Sequence, residues 1–260
     1  MSKAIVVGSG PGGATAAMAL AEGGWDVVVF EKGPNHFGDL TSPTPTTQFS
    51  NDELKGTRFF ENPDWELAEP RTFRRHPTDA EPLAVGYVNQ LPTNVGGGAV
   101  HFDAKVPRFW DIDFKKRSLL GPMPDADVQD WPFTYGELAP YYDEIERLLG
   151  VQGDLAALKA IPTYHHNPRG QDFQMPPGAP QYGSLKLAQA AAALGLHATP
   201  FPMAINSETY DGRPACNNCG FCSNYGCPIH ARAGALAPLR RALLTGRVEV
   251  RPDSFVTKVL

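Results

Sequence analysis

MSKAIVVGSGPGGATAAMALAEGGWDVVVFEKG, residues 1–33, is the stretch on which the fold turns. Ala4 to Val7 is a short, apolar, β-branched run of the kind found in a buried parallel strand. It runs directly into Gly8-Ser9-Gly10-Pro11-Gly12-Gly13, which has the spacing G-x-G-x-x-G. The pattern predicts a helix from about Pro11 to Glu22, with proline in its first turn and Gly23-Gly24 just past its end. Val27 to Phe30 then reads as a second apolar strand that ends at Glu31.

Each part of this strand–turn–helix–strand unit has a physical task. Gly8 permits the tight turn out of the strand, and Gly10 lets backbone approach a pyrophosphate with no Cβ in the way. Gly13, with the small residues Ala14, Ala16 and Ala17, lets the helix lie close to the sheet. The helix start offers unbonded N–H groups and the positive end of its dipole to phosphate oxygens. Glu31 lies 18 residues after Gly13, where a carboxylate can accept hydrogen bonds from ribose hydroxyls. A phosphorylated ribose would be repelled there, which disfavours NADP. The motif therefore points to a bound dinucleotide without separating FAD from NAD.

Composition narrows the class. The chain has 260 residues, a formal net charge of -5 and 42% hydrophobic residues, as one large or two small globular domains would. Mild acidity and the lack of a basic run argue against a nucleic-acid partner. No apolar stretch is long enough to span a bilayer, and the first strand starts too early for a signal peptide to precede it. With 25 prolines and 26 glycines, much of the middle is expected to be long, ordered loop.

After Lys32-Gly33-Pro34 the region to about Ala84 reads as loop-rich, with a small basic cluster at Arg71, Arg74, Arg75 and His76 on a solvated surface. Gly96-Gly97-Gly98 suits backbone that must pass very close to a ligand, although a flexible hairpin turn would use the same residues. From Gly136 to Gly150 an amphipathic helix is expected, with Leu138, Tyr142, Ile145 and Leu149 on its core face. His165 and His166 have no ligand-spaced partners nearby and read as loop residues. An alanine-rich helix is expected from Ser184 to Leu194. At the C-terminal end, Arg247 to Arg251 and Ser254 to Leu260 read as two strands joined by a turn at Pro252-Asp253.

All four cysteines fall in one stretch, PACNNCGFCSNYGCPIHARAG. Cys216, Cys219, Cys222 and Cys227 have the spacing C-x-x-C-x-x-C-x-x-x-x-C-P, with Gly220 and Gly226 letting the loop curl. An iron–sulfur cluster fits this ligand type and spacing best, although the last gap is one residue longer than in ferredoxin loops. A structural zinc site with four thiolates and a pair of disulfides remain open as alternatives. His230 is near enough to stand in as a ligand but reads more naturally as a structural residue.

Taken together, these stretches resemble the N-terminal part of the GMC (glucose–methanol–choline) flavoprotein oxidoreductases. The resemblance is carried by Gly8, Gly10, Gly13 and Glu31; by Gly96-Gly97-Gly98 running into Arg108; by Asp130-Trp131-Pro132 with the Tyr141-Tyr142 helix; and by Val248 to Val259. It implies FAD as cofactor, with Gly97, Gly98 and His101 facing the flavin and Val256 touching the adenine. His101 would look the same as a packed histidine in a strand. The implied fold is α/β: a Rossmann-type FAD-binding parallel sheet with long loop-rich insertions that form part of a substrate domain. FAD-binding segments are expected at about 1–34, 84–122 and 228–260, and substrate-side and cysteine-loop insertions at about 35–83 and 123–227.

The resemblance further implies an FAD-dependent sugar or polyol dehydrogenase acting on CH–OH groups. Some bacterial members carry a three-iron cluster beside the flavin, so a 3Fe-4S or 4Fe-4S cluster on the four cysteines is expected to pass electrons to a cytochrome or quinone acceptor. An oxidase whose cysteines hold zinc, or an FAD-binding fragment, is the alternative. Members of the family are about twice this length, with the catalytic base beyond residue 260, so no catalytic residue is assigned and the chain reads as incomplete. A small partner subunit is implied for some relatives. The expected location is the cytoplasm, or the periplasm or membrane through such a subunit.

Overall fold

The computed structural model describes residues 2–45, 70–74, 76, 78–81, 83–87, 92–124, 126–223 and 226–260. In chain order its first elements are β1 (Lys3–Val7), α1 (Pro11–Glu22), β2 (Asp26–Phe30), β3 (Pro70–Phe73) and β4 (Leu83–Tyr87). Then come α2 (Lys116–Leu120), α3 (Tyr135–Leu149), α4 (Leu155–Lys159), α5 (Tyr182–Ala193), α6 (Leu236–Leu244) and β5 (Val248–Arg251). The chain divides into two compact units, Met1–Asp103 with Asn218–Leu260, and Ala104–Asn217.

The first unit is α/β. Its parallel sheet has the order β1-β2-β5, with Lys3 to Val7 beside Asp26 to Phe30, and Val27 to Phe30 beside Val248 to Arg251. The period of two along these strands sorts the side chains cleanly. Val27 and Val29 point to the helical side and are buried, and α1 and α6 pack together there. Ala14 of α1, Val95, Ala235 and Leu239 of α6 form a closed apolar cluster, with Val250 of β5 against it. Ile5 and Val7 point the other way and are 70% and 58% exposed. The expected buried strand Ala4–Val7 is therefore covered on one face only among the described residues.

Two differences from the sequence reading concern strands. The stretch read as loop-rich to about Ala84 contains a strand that was not singled out, β3, which pairs antiparallel with β4 from Pro70↔Tyr87 to Phe73↔Leu83. Proline at the first position of β3 is compatible with this, because a strand end has no ladder bond to lose there. Arg74 and His76 of the expected basic cluster are exposed, whereas Arg75 lies outside the described residues. Ser254 to Leu260 is not a strand. After Asp253 turns at φ +51°, the Asp253 and Ser254 N–H groups bond to the carbonyls of Gly33 and Glu31, and the residues beyond pair with no strand among the described residues.

The second unit is held by irregular backbone around α3. Thr134 and Glu137 form a reciprocal cap at its start, and Gly150 closes it at φ +70°. The apolar stripe Leu138, Tyr142, Ile145 and Leu149 is only half-buried. The most buried positions on α3 are Tyr135 and Glu146, because an ionic network rather than a greasy stripe fills the space beneath the helix. Arg108 donates from Nε and Nη2 to Glu146 at 2.9 and 2.5 Å, and from Nη2 to Asp143 at 2.5 Å. Arg169 donates to the same Glu146 carboxylate. Burial alone would lower the Arg108 pKa, but the Glu146 and Asp143 carboxylates overcome it and hold the pKa above its usual value. His165 and His166 sit in a short 3₁₀ turn, where His166 stacks on Trp110 and meets Asp111 at 2.8 Å. The alanine-rich helix α5 starts two residues and ends one residue earlier than expected, and buries none of its residues.

Candidate functional site

The site lies in the first unit, where the end of β1, the start of α1 and the end of β2 meet a second glycine segment. Gly8 leaves β1 at φ +89° and its N–H bonds to the Phe30 carbonyl at 2.7 Å. Gly13 has no room for a side chain: a Cβ there would stand 1.9 Å from the Gly8 carbonyl oxygen and 3.2 Å from Val6. That contact is what draws the first turn of α1 onto the strand. The N-cap is Gly10, with no side-chain cap and no acidic residue in the first turn, so the helix end keeps its positive potential for an anion.

Gly97 then brings in the second segment. Gly96 and Gly97 take φ of +94° and +56°, opening a 3₁₀ turn over Gly97–Val100. A Cβ on Gly97 would lie 2.9 Å from the Gly10 Cα, so the two glycine segments touch backbone to backbone. Gly10 and Gly97 thus form one bare backbone surface, a cradle that any side chain would begin to fill. Gly98 has more space around it. His101 is not in a strand but closes the 3₁₀ turn, half-buried, and burial first and the Arg232 charge second lower its pKa.

Three residues that the spacing did not single out hold this arrangement. Ser9 is fully buried; its N–H and Oγ donate to Glu31 Oε2 at 2.9 and 2.7 Å, and its Oγ accepts from the Gly96 N–H at 3.0 Å. Gly33 donates to Glu31 Oε1 at 3.0 Å, and a Cβ on it would strike the Thr93 carbonyl at 2.2 Å. Arg232, 7% exposed, donates to the carbonyls of Val100, Phe102 and Cys222. The only sequence signals were a serine inside the glycine motif, a glycine after the acidic residue and an arginine among alanines.

Glu31 is thus the hub of the turn. A carboxylate has about four acceptor positions, and three are occupied by the chain's own donors. This leaves about one acceptor position for a further donor. Replacing Glu31 by glutamine should cost about 2 kcal/mol of stability, because charge-assisted bonds become neutral ones and one amide hydrogen faces a donor. Urea denaturation checks this, and an unchanged midpoint would remove Glu31 from that role. Val256, half-buried, lies two residues beyond Ser254, which bonds to the Glu31 carbonyl.

No disulfide joins the four cysteines; Cys219 is exposed and the other three are half-buried. Cys216 belongs to the second unit and Cys219, Cys222 and Cys227 to the first. Among the described residues no three His, Cys, Asp or Glu side chains come together in a way that would hold a metal ion. The loop does curl as the glycines suggest, with Asn218 at φ +57° and Gly220 at +83°. His230 packs edge-on against Phe37 at 6.1 Å and caps a turn back to Cys227. The ligand set expected for an iron–sulfur cluster is therefore not assembled in this structure.

Residues 6–64 match the model of the NAD(P)-binding Rossmann-like domain. The gluconate 2-dehydrogenase flavoprotein of Pantoea cypripedii is 29% identical over 98% of this chain and 45% of its own length. The 2-methyl-1,2-propanediol dehydrogenase of Mycolicibacterium austroafricanum is 30% identical, over 81% of this chain and 34% of its own. The fructose dehydrogenase large subunit of Gluconobacter japonicus is 27% identical, over 83% and 39%. The chain thus spans less than half the length of these relatives. With a Rossmann-type sheet and two touching glycine segments, the chain is similar along most of its length to GMC-type flavin-dependent dehydrogenases and oxidases.

Proposed function

We propose that this chain is the FAD-binding portion of an oxidoreductase that oxidises the CH–OH group of a sugar or polyol. The observation that carries the reading is the backbone contact between Gly10 and Gly97, which supports one ligand path along the two glycine turns. The names of the relatives, dehydrogenases of gluconate, a diol and fructose, support the substrate class. A relative named as a large subunit supports assembly with a smaller partner.

The cradle fits FAD in its parts. The uncapped start of α1 receives the pyrophosphate, Glu31 holds a ribose hydroxyl through its remaining acceptor position, and Val256 offers apolar contact to the adenine. Gly97, Gly98 and His101 form the wall toward the flavin ring. FAD, when bound, supplies the hydride acceptor that the alcohol carbon needs. The chain's residues fix that acceptor in place and exclude bulk from its path; none of them is assigned as the base that takes the hydroxyl proton. An iron–sulfur relay on Cys216, Cys219, Cys222 and Cys227 would require the metal itself to draw the thiolates together, as metal binding does when it is coupled to local folding. No electron step is routed through it.

An absorption spectrum of anaerobically purified protein, with iron and zinc measured on the same sample, tests both parts. A flavin spectrum is expected, and protein that binds no flavin at any FAD concentration would overturn the function. Iron in excess of zinc would support the relay and the dehydrogenase. Zinc without iron would replace the relay by a structural staple and favour an oxidase.

A further inference from the structure

Between the cysteines and helix α6 lies the run Ala231-Arg232-Ala233-Gly234-Ala235, whose alanines are at most 3% exposed. Its backbone presses on the 3₁₀ turn: a Cβ on Gly234 would lie 2.5 Å from the Ala99 carbonyl oxygen. From the middle of this run the Arg232 guanidinium reaches in two directions. Nη1 donates to the Phe102 carbonyl at 2.5 Å and to the Cys222 carbonyl, and Nη2 donates to the Val100 carbonyl. Its central carbon also stands 5.8 Å from the Phe102 ring centroid. One buried cation thus bonds to the segment that ends the glycine turn and to the loop that bears Cys219, Cys222 and Cys227.

Burying an arginine is expensive unless its donors are met. Bonding to three carbonyls from two segments fixes those segments relative to each other. A lysine could not do this, since its ammonium is a single point while the guanidinium fork is flat and spreads its donors.

We infer that Arg232 is a positioning residue that locks the thiol-bearing loop to the glycine turn, so that a ligand ordering the turn also orders the loop. The inference rests on the reading that FAD binds along Gly97, Gly98 and His101. Ligand order at the turn passes through the Val100 and Phe102 carbonyls to the guanidinium, and from there to the Cys222 carbonyl.

The test uses the full chain, with amide hydrogen exchange and thiol reaction with a disulfide reagent, each with and without FAD. In the unaltered protein, FAD should slow exchange in residues 96–102 and also in 219–231. Arg232→Met and Arg232→Lys should keep the slowing at 96–102 and lose it at 219–231. In both variants the thiols should react about fivefold faster, as loss of buried hydrogen bonds opens the loop. Slowing confined to 96–102 in the unaltered protein would overturn the inference, as would a lysine variant that keeps the coupling. Should both variants fail to fold, the exchange pattern of the unaltered protein decides. Should no FAD bind, the function proposed above fails separately, and the thiol rates of the variants decide for Arg232: faster rates retain the lock, unchanged rates remove it.

Discussion

Gly13→Ala should abolish measurable FAD binding, while Gly12→Ala, one position earlier on the same helix, should leave it intact. The two glycines differ in what an added methyl group meets. At Gly13 it would stand 1.9 Å from the Gly8 carbonyl oxygen, a backbone atom that cannot swing aside. Relief requires α1 to slide away from β1, or the Gly8 turn to unwind from its φ of +89°. Either motion separates the helix start from Gly97 and breaks the bonds through which Ser9 joins Glu31 to Gly96. Overpacking of this kind costs about 3 kcal/mol in stability. At Gly12 nothing lies within 4 Å, and alanine there should add up to about 1 kcal/mol through helix propensity. Flavin fluorescence titration and urea denaturation of both variants check the pair. Equal behaviour of the two would show that close packing of α1 on β1 is not what builds the site.

This contrast also shows what the sequence makes legible. The unit β1–α1–β2 is local: its apolar runs, turn glycines and helix boundaries follow each other within thirty residues, and α1 was placed at the observed Pro11–Glu22. Gly13 could be read because its partner, Gly8, lies five residues away in the same motif. The need for Ser9 comes from Gly96, 87 residues later, and the need for Arg232 from Val100, 132 residues earlier. No spacing rule reaches that far. Gly33 was invisible for the same reason, because it is Thr93 that leaves no space beside it. Strands β3 and Ser254–Leu260 failed in opposite directions. β3 is a poor strand by composition that finds β4 to pair with, whereas Ser254–Leu260 has strand-like residues and pairs with no strand among the described residues. Pairing decided both, and pairing is not a property of a segment alone.

In the second unit the largest effect is expected at Glu146, which a hydrophobic-stripe reading of α3 passes over. Its carboxylate is the shared acceptor of two buried arginines, with side-chain exposures of 2% for Arg108 and 4% for Arg169. Glu146→Gln removes the charge but keeps the shape, leaving Asp143 as the carboxylate still paired with Arg108 among the described residues. Breaking a buried pair in this way costs about 3–5 kcal/mol, since the partners are left charged in a poor solvent. Asp143→Asn should cost less, about 1 kcal/mol, because that side chain is 21% exposed and water can take its place. The informative variant is the triple Arg108→Met, Glu146→Leu, Arg169→Met. An apolar trio of similar volume has no charge to desolvate, so most of the lost stability should return. Urea midpoints of the three proteins test the account. If the triple variant is as unstable as Glu146→Gln, the network is doing more than neutralising itself, and its geometry rather than its charge balance is what holds the irregular backbone around α3.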